Sequence, residues 1–142
     1  MNKLFIDADI ILDLLLEREP FFVSSSKLFT LIEENKVIAF TTPVILANIY
    51  YISARMTNKK IALEAIRKLL TLLKVTAVDE KIMLLAANSD FKDFEDSIQY
   101  YAAKSEGIEF LITRNKVDYK ITDLTVCTSK EYLSIYHKPA IN

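Results

Sequence analysis

Residues 3–15 read "KLFIDADIILDLL". An apolar run heading for a protein interior here carries Asp7, Asp9 and Asp13 within seven positions. Ionised carboxylates are seldom fully buried unless paired or bound to metal. The three therefore point to different places or share something that offsets their repulsion. "KLFI" has the length and composition of a short buried strand, and "DIILDLLLER" reads as a helix directly behind it. A strand running straight into a helix is the opening unit of a parallel α/β sheet. Asp7 then stands at the carboxyl end of the first strand.

The same pattern continues outward. "PFFVSSSKLFTLIEEN" reads as a helix with Pro20 at its start, and "KVIAF" as a second strand. "TTPVILANIYYISARM" begins with Thr42 as cap and Pro43 in the first helical position. "NKKIALEAIRKLLTLL" is amphipathic, with Ile61, Ala65, Leu69 and Leu72 down one side. "KVTAVD" is a strand, "EKIMLLAAN" a helix, and "DFEDSIQYYAAKSEG" a helix capped by Asp93 and closed by Gly107. "IEFLIT" and "LTVCT" are the last strands and "SKEYLSIY" the last helix. The expected fold is a three-layer α/β/α sandwich with a mainly parallel sheet of about four to five strands and helical hairpins between strands. Residues 1–136 form one domain in this reading, and 137–142 a short frayed tail.

Composition narrows the chemistry. At 142 residues, 51% hydrophobic and 26% charged, the chain has the balance of one globular domain. Apolar stretches fall far short of the roughly 20 residues of a membrane span, and no basic segment precedes an apolar signal core. With one cysteine, Cys127, no internal disulfide forms. The reading is a soluble, cytoplasmic protein with no membrane partner. A single glycine, Gly107, excludes both the P-loop and the G-x-G-x-x-G turn, and a single histidine, His137, excludes paired-histidine catalysis and multi-Cys/His zinc sites. A net charge of −1 gives no overall attraction to nucleic acid, though it permits a local basic patch. Carboxylates, amides, hydroxyls and lysines are what remains.

In open parallel sheets, ligands bind beyond the carboxyl ends of the strands, where strand order reverses. Asp7 ends the first strand, Asn115 and Asp118 follow "FLIT", and Glu95 and Asp96 lie in the first turn of the "DFEDSIQ" helix. Gathered at one rim, such acids need a hard divalent cation, and Mg²⁺ or Mn²⁺ takes oxygen ligands. Each acid also has a purely structural explanation. Asp9 and Asp93 suit helix caps, Asp13 a solvated helix face, Glu95 and Asp96 the positive end of a helix, and Asp118 a turn. Asp7, directly behind a buried strand, is the hardest to explain that way.

"LFIDADIILDLLLEREPF", "NIYYI", "DFEDSIQYYAAKSEG" and "FLITRNKVDY", in that order, resemble the PIN-domain family, which includes the VapC-type toxins. The resemblance runs from Lys3 to about Tyr132, and F-E-D-x-x-Q-Y-Y-A-A followed by I-T-R-N-x-x-D-[FY] is far more specific than a stray D-x-D. It implies a metal-dependent ribonuclease in which an acidic rim holds Mg²⁺ or Mn²⁺ and hydrolyses RNA phosphodiesters. Carried across, Asp7, Asp96 and Asn115 are the metal ligands, and Asp118 joins them as a catalytic residue. Two departures stand out. Asp7-Ala8-Asp9 replaces the family's usual Asp-Thr-Asn or Asp-Ser-Asn, and Asn48 stands where many members carry a glutamate on the helix after the second strand. Asp9 and Glu95 are the residues expected to restore the lost charge.

Arg114 and Lys116 flank Asn115 and are the expected RNA contacts. The resemblance further implies a homodimer and, for the toxin members, silencing by a small antitoxin. Two rivals remain. "FIDAD" after a strand also opens haloacid-dehalogenase-type phosphatases, but their later Gly-Asp acidic loop is missing. The other is a catalytically weak or inactive PIN-like module that binds RNA or regulates, for which Ala8 and Asn48 speak.

Overall fold

The computed structural model describes residues 1–119 and 123–137. The elements are β1 (Lys3–Ile6), α1 (Ala8–Leu15), α2 (Phe22–Glu33), β2 (Ile38–Thr41), α3 (Pro43–Met56), α4 (Lys59–Leu72), β3 (Lys74–Val75), α5 (Glu80–Ala87), α6 (Phe94–Ser105), β4 (Phe110–Ile112), β5 (Thr125–Cys127) and α7 (Ser129–His137). A 3₁₀ turn, Lys116–Tyr119, follows β4. The sheet order is β3-β2-β1-β4-β5, and every pairing is parallel. Helical hairpins fill the three connections from β1 to β4, as expected from the sequence.

β1 is the centre of this sheet because its side chains suit no other place. Successive strand residues point to opposite faces, and Leu4, Phe5 and Ile6 are all fully buried. Both faces of the sheet are therefore covered by helices, the condition under which an all-parallel sheet is stable. On one side Lys3, Leu4 and Phe5 pair with Ile38, Ala39 and Phe40; on the other Leu4, Phe5 and Ile6 pair with Phe110, Leu111 and Ile112. The main core gathers these strands with Ile10, Ile11, Leu28, Ile45 and Tyr132. A smaller cluster of Ile82, Ala86, Ile98 and Ala102 joins α5 to α6. Among the described residues, no helix is long and apolar enough to cross a membrane.

Local chemistry sets the helix ends. Thr42 caps α3 with Pro43 behind it, Asn58 caps α4, Asp79 caps α5 and Asp93 caps α6. Three expectations change here. The cap of α1 is Asp7, whose Oδ1 accepts from the Ala8 N–H at 2.8 Å; Asp9 sits in the first turn instead. Pro20 does not start α2, which begins at Phe22. His137 closes α7 instead of opening a frayed tail, and residues 138–142 lie outside the described set.

The one glycine serves a single purpose. Behind α6, Gly107 adopts φ +66°, its N–H bonds the Lys104 carbonyl, and the Ile108 N–H reaches back to the Ala103 carbonyl. This is a Schellman closure, which favours glycine in the left-handed position. An alanine side chain there meets no neighbour within 4 Å, so the cost of Gly107→Ala is conformational. A loss of about 1 kcal/mol in urea unfolding is expected.

Candidate functional site

Along the sheet, the chain moves from β1 through β2 to β3, then returns to the other side of β1 to form β4 and β5. The order reverses between β1 and β4, and at such a switch point the carboxyl ends of adjacent strands diverge and leave a crevice. Asp7 leaves β1 at this crevice, and Thr113, Arg114 and Asn115 leave β4.

Asp7 is 7% exposed. Its Oδ2 accepts from the Thr113 hydroxyl at 2.8 Å and lies 3.4 Å from the Tyr119 hydroxyl. That phenol also lies 3.1 Å from Asp96 Oδ1 and 2.5 Å from Gln99 Oε1. One O–H has a single proton, so it donates to one of the three. The other contacts require a proton on a carboxyl or the Gln99 amide turned to present its nitrogen. Tyr119 thus ties the end of β1 to α6.

The electrostatics agree with crowding. Burial first, then the neighbouring Asp9, pushes the Asp7 carboxyl up from 3.8 to about 7, against the opposing hydrogen bond from Thr113. Burial, then Asp93, raises Asp96 to about 6, with Asp118 and Glu95 adding to the effect. Burial also raises Asp9 and, helped by the charges of Asp7 and Asp96, keeps the Tyr119 phenol protonated. An opposite charge placed among these groups would reverse each shift.

Asp9 Oδ2 accepts from the Arg114 backbone N–H at 3.0 Å, with the Thr113 hydroxyl and Asn115 Nδ2 each at 3.5 Å. Its Oδ1 is buried without a hydrogen-bond partner among the described residues. Asn115 is thereby brought to Asp9, next to the Asp7–Asp96 pair. Asn48 on α3 donates to Glu95 Oε2 at 3.3 Å, so the neutral amide and the nearby acid are joined across α3 and α6. Asp118 lies on the 3₁₀ turn, exposed, and shares with Asp90, Asp93 and Asp96 a cleft of about 280 Å³ in which Lys92 is the one cation among the described lining residues. It raises the Asp96 pKa but makes no side-chain hydrogen bond to Asp7.

Arg114 and Asp13 depart most from expectation. Asp13, expected on a solvated helix face, is fully buried. Arg114 Nε lies 2.9 Å from its Oδ2, and an Arg114 terminal nitrogen lies 3.1 Å from its Oδ1. The guanidinium also stacks 4.0 Å from the centre of the Phe21 ring. Its charge is thus engaged by Asp13, while its own backbone N–H serves Asp9. Lys116, the other expected RNA contact, pairs with Glu131 at 3.1 Å.

All the site's donors are oxygen, the set a hard cation prefers. Among the described residues, no three Asp, Glu, His or Cys side chains converge tightly enough to grip one ion. The arrangement instead suits Mg²⁺, which keeps much of its water and takes one or two carboxylates directly. Asp7 and Asp96 are the carboxylates that could supply such a pair, and Asp9 Oδ1 and the Asn115 carbonyl could act through water.

Neither composition nor spacing singled out Thr113, Gln99 or Tyr119. The signal was present: Gln99 lies one helical turn after Asp96, and Tyr119 closes the D-[FY] pair.

A sequence model of the PIN domain matches residues 3–117. Ribonuclease VapC1 of Aquifex aeolicus is 29% identical over 136 residues, covering 92% of this chain and 93% of that protein. Among solved structures, VapC20 of Mycobacterium tuberculosis, described as a toxin that cleaves the sarcin-ricin loop, superposes with a TM-score of 0.66 at 14% identity, covering 86% of this chain and 98% of that one. DNA-bound VapBC from Salmonella typhimurium superposes with a TM-score of 0.67 at 14% identity, covering 91% and 99%. At such identities the two superpositions speak for the fold.

Proposed function

Because the chain belongs to the PIN-domain family, we propose that it is a metal-dependent endoribonuclease and the toxin of a toxin–antitoxin pair. The observation that carries this reading is the meeting of Asp7 and Asp96 on the Tyr119 hydroxyl at the β1/β4 switch point. The similarity to a ribonuclease over nearly the full length supports it. In this proposal residues 1–136 act as one domain, in the cytoplasm, on RNA.

Asp7 and Asp96 hold the divalent ion, and Asn115 completes its surroundings. When bound, Mg²⁺ or Mn²⁺ offsets charge on the phosphate and acidifies water so that it becomes a nucleophile at neutral pH. Thr113 and the Ala8 N–H fix the Asp7 carboxylate, and Tyr119 sets the Asp96 carboxylate against it. Asp9, tied to the Arg114 backbone, keeps the Asn115 loop closed over the rim. Asp118 and Glu95 add negative charge at the edge. The likeness to VapBC assemblies supports a small antitoxin as partner, and a homodimer is the proposed working form.

The metal-free fold offers a direct test. Asp7 and Asp96 retain protons in the folded state to about 7 and about 6, whereas unfolded carboxylates release them near 3.8. The folded state binds more protons across that window, so their contribution to stability falls as pH rises from about 4 to about 7. A cation binding the ionised pair acts in the other direction. Mn²⁺ is therefore expected to raise the melting temperature more at pH 7.5 than at pH 5.5 and to permit RNA cleavage that EDTA stops. No shift and no cleavage would sink the nuclease reading.

A weak or inactive RNA-binding module is the second reading. The neutral Asn48, turned to Glu95, is the observation favouring it. Retention of RNA without cleavage in either metal would select it.

A further inference from the structure

A second cleft abuts the acidic rim and has the opposite character. It runs between the start of α2 and the start of α7, has a volume of about 410 Å³, and is lined by Asp13, Ser25, Arg114, Asn115, Ser129 and Lys130 among others. Through Pro20, Ser24 and Lys130 it continues into a cleft of about 480 Å³ that adds Lys27 and His137. Among the described lining residues the one acid is Asp13, already neutralised by Arg114. Lys27 and Lys130 have no partner among the described residues. In a chain of net charge −1, this is a local surplus of positive charge.

The cleft is also rich in idle hydrogen-bonding groups. Ser25 is 1% exposed and Ser129 is 3% exposed, and neither hydroxyl has a partner among the described residues. Both residues line the cleft. α2 has no side-chain cap, so the first-turn N–H groups of Val23 and Ser24 are left without an acceptor among the described residues. At α7 the Thr128 hydroxyl accepts from Glu131 N–H, which leaves the N–H groups of Ser129 and Lys130 without one among the described residues. Helix amino termini carry partial positive charge and present N–H groups to anions. A buried hydroxyl without a partner is costly and calls for one.

We propose that this cleft is a seat for a phosphodiester of single-stranded RNA neighbouring the one cut at the acidic rim. The proposal rests on the nuclease reading and names where its substrate lies. Ser25, Ser129 and Lys130 hold the phosphate, while Lys27 and His137 guide the next stretch of strand. The Arg114–Asn115 segment lines this cleft and contacts Asp9, so it joins the seat to the rim.

The test is steady-state cleavage of a short single-stranded RNA in Mn²⁺ by wild type, Ser25→Ala/Ser129→Ala and Lys130→Ala, with Lys68→Ala on α4 as control. A seat remote from the reacting bond acts through binding. KM is expected to rise about ten-fold in each variant, with kcat kept. For Lys130→Ala, the slope of log affinity against log salt should fall by about 0.7. Inorganic phosphate should inhibit wild type competitively and the variants far less. The serine variant should melt without metal no lower than wild type, since idle hydroxyls contribute nothing to the empty fold. An unchanged KM in an active enzyme overturns the seat and leaves the nuclease reading standing. Equal weakening by Lys68→Ala, or equal phosphate inhibition of all forms, overturns it too. A wild type that neither binds nor cleaves RNA removes the nuclease reading, and the seat with it.

Discussion

Asp7→Asn is expected to reduce RNA cleavage about a thousandfold and to raise the melting temperature of the metal-free protein at pH 7.5. The two effects have one cause. At that pH the Asp7 carboxyl is forced to ionise in a buried place beside Asp9 and Asp96, against a pKa lifted to about 7. Asparagine has the shape of the neutral acid, still accepts from the Ala8 N–H as a helix cap, and removes the repulsion. It also removes the charge that a divalent ion needs, so Mn²⁺ should no longer raise the melting temperature. Parallel melting curves with and without metal, beside a cleavage assay, check all three. A variant that is destabilised without metal and still responds to Mn²⁺ would show that Asp7 is a structural cap alone.

Arg114→Ala is expected to cost about 3–5 kcal/mol in urea unfolding, because it strands a fully buried carboxylate. Arg114 is itself partly exposed, at 28% of its side chain, which favours the lower end. Most of the loss should return in Asp13→Asn/Arg114→Ala, since the penalty is that of an uncompensated buried charge rather than of a missing contact. A single-variant loss below about 1 kcal/mol would mean that the pair behaves like a surface ion pair.

The strands, the helical hairpins and the caps Thr42 and Asp93 were legible because hydrophobic period and capping residues are local signals. The placement of Asp7 and Asp96 at one rim was legible too, since a switch point follows from the alternation of strands and helices. What escaped was tertiary. Asp13 has the spacing of a solvated residue, and only the return of β4 beside β1 delivers an arginine over it. Arg114 has the composition of a phosphate contact, and the same return pairs it with Asp13. Tyr119 is one aromatic among many in the sequence; its hydroxyl gains meaning only where two acids meet it. The start of α2 was misplaced because Pro20 suits a first helical turn, whereas the chain uses it two residues earlier.

The position of β1 has a consequence for biosynthesis. The first strand to be made is completed by one of the last: Asp7 and Thr113 are 106 residues apart along the chain, and Asp7 and Tyr119 are 112 apart. Pairings so distant in sequence form late. A nascent chain still lacking β4 has no Thr113 for Asp7 and no phenol to join it to α6. A growing polypeptide of this kind therefore has no assembled acidic rim until β4 and the turn behind it have been made.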